Sequence, residues 1–124
     1  MKILVEACPS FTEEWEGHLR ENGNELLYSA AGAFADHLLA LYRLNDTLCF
    51  GAVGVAIERF YTEGSPWVRE FATIGILEGI QNGWSNNEAN PEDFVSFLGS
   101  ESRQQWQSLN DFWNGKVPHV GHKG

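Results

Sequence analysis

The sequence predicts an all-α fold, a compact single domain of about seven helices. Two observations predict it. Apolar residues recur at spacings of three and four along most of the chain, and no run of four or more residues alternates convincingly as a strand. The chain has 124 residues, of which 43% are hydrophobic and 13% aromatic, so one domain can bury a core without disulfides or metal ions.

Residues that begin or end helices separate these periodic segments. Ser10 or Thr12 can cap the second helix, and Ser100 can cap the last one. The region 116–124 contains glycine and proline without periodicity, so we predict a flexible tail outside a domain of residues 1–115. The predicted helix bounds are residues 2–7, 12–22, about 25–44, 47–63, 66–83, 91–99 and 100–115.

The fourth predicted helix contains two glycines, Gly51 and Gly54. An interior glycine costs about 1 kcal/mol relative to alanine, so we expect packing that compensates for it. The simplest compensation is the close approach of another helix backbone.

The fifth predicted helix, SPWVREFATIGILEGIQN, has apolar residues on most of its sides. Ser65 can cap it, and Pro66 suits its first turn. We therefore expect a central helix that is packed on several sides. Its polar residues Glu70, Glu78 and Gln81 form a narrow stripe that is open to a partner.

Two helix pairs, separated by roughly forty residues, resemble HEAT-type repeats. The resemblance rests on Pro66, Val68-Arg69, Ala72 and Ile76 in the second helix of the second pair. It implies stacked helical hairpins in which the arginine braces a neighbouring repeat through an acidic partner. The candidate partners for Arg69 are Asp36 and Glu58. The first pair lacks the Val-Arg signature, so a compact HEAT-like domain is expected, and a long solenoid is not.

Three longer segments resemble a widespread bacterial family of small acidic helical proteins of uncharacterised function. They are LVEACPSFTEEWE, WVREFATIGILEGIQN and LGSESRQQWQSLNDFWNG. The resemblance supplies no catalytic residues. It implies that the gene lies in a toxin–antitoxin or polymorphic-toxin locus, where small acidic proteins often act as immunity factors.

The charge balance favours a basic protein partner. Asp and Glu number 17 against 8 Lys and Arg, which gives a formal net charge of −9. This charge repels nucleic acid, whose binding depends on neutralising phosphates, and it speeds the encounter with a basic protein surface. Acidity that serves only solubility is the alternative.

The remaining features of the sequence indicate a cytoplasmic protein. The N-terminal apolar run is too short for a signal peptide, and no stretch approaches the roughly 18 apolar residues of a membrane helix. Cys8 and Cys49 belong to no CxxC pair, so we expect two separate buried thiols in a reducing compartment.

The sequence contains few candidates for metal-binding or catalytic residues. His18 has Glu14 and Glu21 at helical spacing, but His37 has no comparable neighbour, and such proximity arises often by chance in an acidic helix. His119 and His122 are three apart in the predicted tail. No nucleophile motif or phosphate-binding loop is visible. We therefore expect no metal, no cofactor and no enzymatic activity.

The leading hypothesis is a bacterial immunity protein that occludes the basic active site of a cytosolic toxin, such as a nuclease. A regulatory or scaffold module without a toxin is the second hypothesis, and a small carboxylate-dependent enzyme is the third. Most of the five tryptophans are expected to fill the core. Trp84 is the candidate for partner contact, because polar residues surround it in NGWSNN, and a place at the edge of the core is the alternative. The predicted partner-binding residues are Asp36, Glu70, Glu78, Gln81 and Trp84, with a second acidic edge of Glu13, Glu14 and Glu16.

Overall fold

The computed structural model describes residues 1–23 and 25–115, and the predicted tail lies outside these ranges. The all-α single-domain fold is confirmed, since the described ranges contain helices and no strand. The helices are α1 (Lys2–Ala7), α2 (Thr12–Asn22), α3 (Leu27–Arg43), α4 (Phe50–Glu63), α5 (Pro66–Glu70), α6 (Glu78–Asn86) and α7 (Ser100–Trp113). Three further segments are two 3₁₀ helices, Pro9–Phe11 and Pro91–Phe97, and a π-helix, Phe71–Leu77.

The predicted caps are confirmed at one helix and wrong at two others. Ser65 Oγ accepts a hydrogen bond from the Val68 N–H at 3.3 Å and so caps α5. The α2 helix follows directly from a 3₁₀ turn, and neither Ser10 nor Thr12 caps it. At α7 the N-cap residue is Gly99, and the predicted cap by Ser100 is not formed. A carboxylate from another helix accepts the hydrogen bonds of the first turn in its place.

Helix α5, the π-helix and α6 follow one another without a break, and we call this run the central helix. It packs in parallel against α3, since contacts pair rising residue numbers on both helices. A Cβ placed on Gly75 would lie 3.3 Å from the Ala31 Cβ, and one placed on Gly79 would lie 3.7 Å from the Ala35 Cβ. We call this contact the seam. Small residues on both sides let the two backbones approach closely.

The π-helix in the middle of the central helix differs from the ordinary α-helix that the periodicity predicts. Its hydrogen bonds run from residue i to i+5, which accommodates an extra residue in the turn. Six of its seven residues are buried, and Ile74 is exposed. The buried Thr73 hydroxyl is satisfied by the Tyr61 hydroxyl at 2.7 Å. Such segments are rare and occur frequently at functional sites.

Trp84 closes the core at the other end of the seam. Its side chain is 0% exposed, and its indole N–H donates to the Ala35 carbonyl oxygen at 3.2 Å. The ring stacks on Tyr42 with centroids 5.0 Å apart and meets Phe94 edge-on. This tryptophan therefore joins α3, α6 and the 3₁₀ segment Pro91–Phe97.

Helix α7 is held by a carboxylate from α4. Glu58 accepts hydrogen bonds from the Ser102 N–H at 2.9 Å, the Ser102 hydroxyl at 2.8 Å and the Glu101 N–H at 3.1 Å. Burial alone raises the pKa of Glu58, but these hydrogen bonds outweigh burial and lower it. Gly99 leaves the room that this carboxylate needs, because a Cβ there would lie 2.6 Å from Glu58 Cδ.

The expectation about helix glycines is confirmed at one position and wrong at the other. A Cβ on Gly54 would overlap the backbone carbonyl of Phe97, so the close approach of another segment explains this glycine. Gly51 is exposed and has no atom within 4 Å of its Cβ position, because it faces solvent. No packing compensates for Gly51.

We expect Gly54→Ala to lower the free energy of unfolding by about 3 kcal/mol, because the Phe97 backbone must move to admit a methyl group. We expect the matched variant Gly51→Ala to raise it by about 0.5 kcal/mol, since alanine favours the helix. Urea denaturation of both variants measures this contrast. Equal effects of the two substitutions would show that Phe97 does not crowd Gly54.

We expect Glu58→Gln to lower the free energy of unfolding at neutral pH by about 1–2 kcal/mol, the usual range for losing a helix cap. Stabilisation by the ionised carboxylate is complete above its ordinary pKa of 4.5 and is lost as pH falls through the lowered pKa. The difference between wild type and variant should therefore narrow below pH 4.5 in denaturation measured across pH. A difference that is constant down to pH 2 contradicts the role of the Glu58 charge.

Candidate protein-binding surface

An aromatic cluster is exposed at the N-terminal end of the seam. The Trp67 ring stacks on Phe71 with centroids 5.6 Å apart and planes inclined by 5°, and Tyr28 from α3 meets Phe71 edge-on at 5.6 Å. Phe71 is buried, whereas Trp67 is 52% exposed, Tyr28 44% and Ile74 38%. We call Tyr28, Trp67, Ile74 and the acidic Glu70 the seam surface. It combines large apolar groups with a charge on two packed helices.

The charge of the seam surface is negative. Burial raises the pKa of Tyr28 above its ordinary value of 10, and the negative charge of the exposed Glu70 raises it further. Glu70 is therefore close enough to influence the Tyr28 hydroxyl. Glu78 lies two turns further along the central helix and is partly buried. Burial raises the pKa of Glu78, and a hydrogen bond from Asn82 partly offsets this rise.

Asp36 continues the acidic character along α3. It is exposed, and its Oδ1 lies 3.3 Å from the position of a Cβ on Gly83. Eight residues separate it from Tyr28, which is about 12 Å along a helix axis. Asp36 therefore borders the seam about two turns beyond the aromatic cluster.

The second predicted acidic edge lies on a different helix. Glu13, Glu14 and Glu16 are all exposed on α2, a helix without a fully buried side chain. Trp15, on the same helix, stacks on His18 with centroids 5.6 Å apart. These glutamates form an accessible acidic edge that is separate from the seam surface.

Two of the predicted partner-binding residues are buried, and the prediction of an exposed contact is wrong for both. Trp84 fills the core as described above. Gln81 is 5% exposed, and its Nε2 donates to the Asn110 side-chain oxygen at 3.1 Å and to the Trp106 carbonyl oxygen at 3.3 Å. The amide thus ties the central helix to α7 and does not face a partner.

The predicted acidic partner of Arg69 is also wrong. Arg69 Nε donates to the Gly64 carbonyl oxygen at 3.1 Å, which braces the turn between α4 and α5. Glu58 is occupied by the start of α7, and Asp36 lies beside Gly83. The arginine is a local brace within one hairpin.

Tyr28, Trp67 and Ile74 are exposed residues that the sequence patterns did not indicate. One signal for Trp67 was its place in the first turn of a helix just after Ser65-Pro66, where fewer neighbours cover a side chain. A signal against Trp84 was also present, because it lies four residues after Ile80 on the buried side of the helix. The polar residues next to Trp84 favour exposure, whereas its spacing from Ile80 favours burial, and the spacing is the correct signal.

The histidines of the described ranges, His18 and His37, each contact an oxygen atom of another residue. His18 Nε2 lies 3.0 Å from the Glu25 carbonyl oxygen, and His37 Nε2 lies 2.7 Å from Ser10 Oγ. Within residues 1–23 and 25–115, no group of three or more His, Cys, Asp or Glu side chains is placed to hold a metal ion. His119 and His122 lie outside these ranges.

Residues 1–114 match the family model described as "Domain of unknown function (DUF7674)". The chain belongs to this family. No curated protein and no solved structure matches it. In the described part of this DUF7674 domain, no helix is both long enough and apolar enough to cross a membrane.

We expect Trp67→Ala to lower the free energy of unfolding by about 1 kcal/mol, the loss of one aromatic stacking contact at the surface. The matched variant Trp84→Ala should lower it by about 3–5 kcal/mol, because it leaves a cavity in the core. Chemical denaturation of the two variants measures the contrast. A larger effect of Trp67→Ala would mean that the seam surface is part of the core.

Proposed function

We propose that the chain is a protein-binding module that holds a basic protein partner on the seam surface. The observation that carries this proposal is the exposed cluster of Trp67 and Tyr28, with Glu70 beside it. Trp67 and Glu70 lie on the central helix, which contains a π-helical segment. Tryptophan and tyrosine supply large apolar area with few rotatable bonds, and tryptophan in particular is enriched among residues that dominate binding energy. The proposal assigns the chain no catalytic role.

The acidic residues supply steering and orientation in this proposal. Glu70 lies within the seam surface, Asp36 borders it, and the chain has a formal charge of −9. A basic surface approaching such a field associates faster, and the acceleration falls with ionic strength. Affinity comes from burial of the aromatic cluster, whereas partner choice comes from charge complementarity.

The partner class that we propose is a cytosolic bacterial toxin with a basic active-site cleft, such as a nuclease. The chain would act as its immunity protein in the cytoplasm by covering the cleft. This class rests on the acidity of the chain and on the resemblance that associates such small helical proteins with toxin loci. The same surface serves equally as the docking face of a regulatory or scaffold module. An immunity gene directly follows a toxin gene, so the gene order distinguishes the two functions.

A HEAT-like arrangement is part of the proposal. The pair of α2 with α3 and the pair of α4 with the central helix place their second helices in parallel contact along the seam, as stacked repeats do, but α2 packs mainly against the 3₁₀ turn before it. The first helices depart from that plan, because α4 packs against α1. In this interpretation the exposed edge of the stacked second helices is the recognition face.

The product of the neighbouring gene is the partner to test. We expect it to co-purify with the chain and to be toxic in cells that lack the chain. Trp67→Ala should weaken the complex about thirtyfold, which corresponds to about 2 kcal/mol for a residue that dominates an interface. Glu70→Gln should mainly slow association and reduce its salt dependence. Surface plasmon resonance at two salt concentrations measures both effects.

The control is Trp113→Ala, because Trp113 is 53% exposed but lies at the end of α7. Its affinity should equal that of wild type. A product that binds without toxicity favours the scaffold function. Loss of binding in Trp113→Ala but not in Trp67→Ala contradicts the assignment of the surface.

A further inference from the structure

Cys8 and Cys49 form a close thiol pair, which corrects the expectation of two separate buried thiols. Cys8 follows α1 and Cys49 precedes α4, 41 residues later, yet their sulfur atoms lie 2.7 Å apart. Both cysteines are free, and Cys49 donates its S–H to the Cys8 sulfur. A disulfide bond is about 2.05 Å long, so the sulfurs need to approach by less than about 1 Å to bond.

The two cysteines differ in accessibility. Cys49 is partly buried and lines a groove of about 460 Å³, together with Glu6, Pro9, Ser10, Asp46 and Leu48. Cys8 is 0% exposed and lies behind Cys49. A small solute in the groove therefore meets the Cys49 sulfur first, and Cys8 is placed to react with whatever forms there.

Two polar side chains connect Cys8 to the surface. Ser10 Oγ lies 3.5 Å from Cys8 Sγ and 2.7 Å from His37 Nε2. When His37 Nε2 is unprotonated, the Ser10 hydroxyl donates to it, and the Ser10 oxygen accepts from the Cys8 thiol. The Cys8 proton then has a path through Ser10 to His37.

We propose that Cys8 and Cys49 are a thiol–disulfide site that takes a low-molecular-weight disulfide, such as oxidised glutathione, from the groove. This function is independent of the seam surface. In the first step, Cys49 loses its proton to solvent, and its thiolate attacks one sulfur of the external disulfide. A Cys49–glutathione bond forms, the external S–S bond breaks, and one glutathione thiolate leaves.

In the second step, Cys8 loses its proton through Ser10 and attacks Cys49 Sγ. The Cys8–Cys49 bond forms, the mixed disulfide breaks, and the second glutathione thiolate leaves. The two protons released by the cysteines neutralise the two leaving thiolates. Overall, two protein thiols are oxidised and one external disulfide is reduced to two thiols.

The exchange is slow at neutral pH. Burial raises the pKa of Cys49 to about 12, with further contributions from the hydrogen bond to Cys8 and the charge of Asp46. Few Cys49 side chains are therefore thiolates near pH 7, and the thiolate is the form that attacks a disulfide.

The test incubates the purified full chain with oxidised glutathione, blocks the remaining free thiols by alkylation, and digests with trypsin without reductant. Cleavage after Lys2, Arg20, Arg43 and Arg59 places Cys8 in peptide 3–20 and Cys49 in peptide 44–59. We expect these two peptides as one linked species that dithiothreitol separates. The oxidised chain should also melt about 10 °C higher than the reduced chain, because the bond closes a long loop.

Two variants separate the steps. Cys8→Ser should stop at the mixed disulfide and gain the mass of one glutathione at Cys49. Cys49→Ser should remain unmodified, because Cys8 is buried. The proposal is overturned if wild type stays reduced after incubation with oxidised glutathione, or if wild type keeps glutathione on Cys49 without forming the linked peptides. The wild-type peptide map decides the question even where a variant does not fold.

Discussion

The close parallel packing of α3 against the central helix organises the other elements of the fold. Ala31 faces Gly75 and Ala35 faces Gly79, and the space beside Gly75 is already tight for a methyl group. The two tryptophans of the central helix lie at the two ends of this seam. At one end Trp84 is covered by the 3₁₀ segment Pro91–Phe97 and becomes core. At the other end Trp67 has no such cover and remains half-exposed.

The elements around the seam hold this arrangement through specific polar contacts. Glu58 of α4 supplies the cap that α7 lacks, and Gln81 of the central helix binds α7 from the other side. Glu92 accepts hydrogen bonds from the Trp106 indole at 2.7 Å and from Asn110 at 3.4 Å, which fixes the 3₁₀ segment against α7. These contacts involve none of the residues of the seam surface.

The helices themselves could be predicted from the sequence, because apolar spacing and breaking residues are local signals. The π-helix could not, since apolar residues on most sides of its helix fit several helical periods. Burial of Trp84 depends on Tyr42 and Phe94, which are distant in sequence, whereas the polar residues next to Trp84 suggested exposure. The Cys8–Cys49 pair and the Glu58 cap join residues more than 40 positions apart, and no short sequence motif predicts such contacts. The exposure of the carboxylates Glu70 and Asp36, in contrast, could be predicted, because an unpaired carboxylate is rarely buried.

The central claim is that the Trp67 end of the seam, and no other aromatic region of the chain, contacts the partner. The indole N–H signals of the five tryptophans in a ¹H–¹⁵N spectrum test it directly during titration with the neighbouring gene product. We expect the Trp67 signal to shift or broaden, while the signals of the buried Trp84 and of Trp113 at the end of α7 remain in place. A titration in which Trp113 or Trp15 responds and Trp67 does not would contradict the claim.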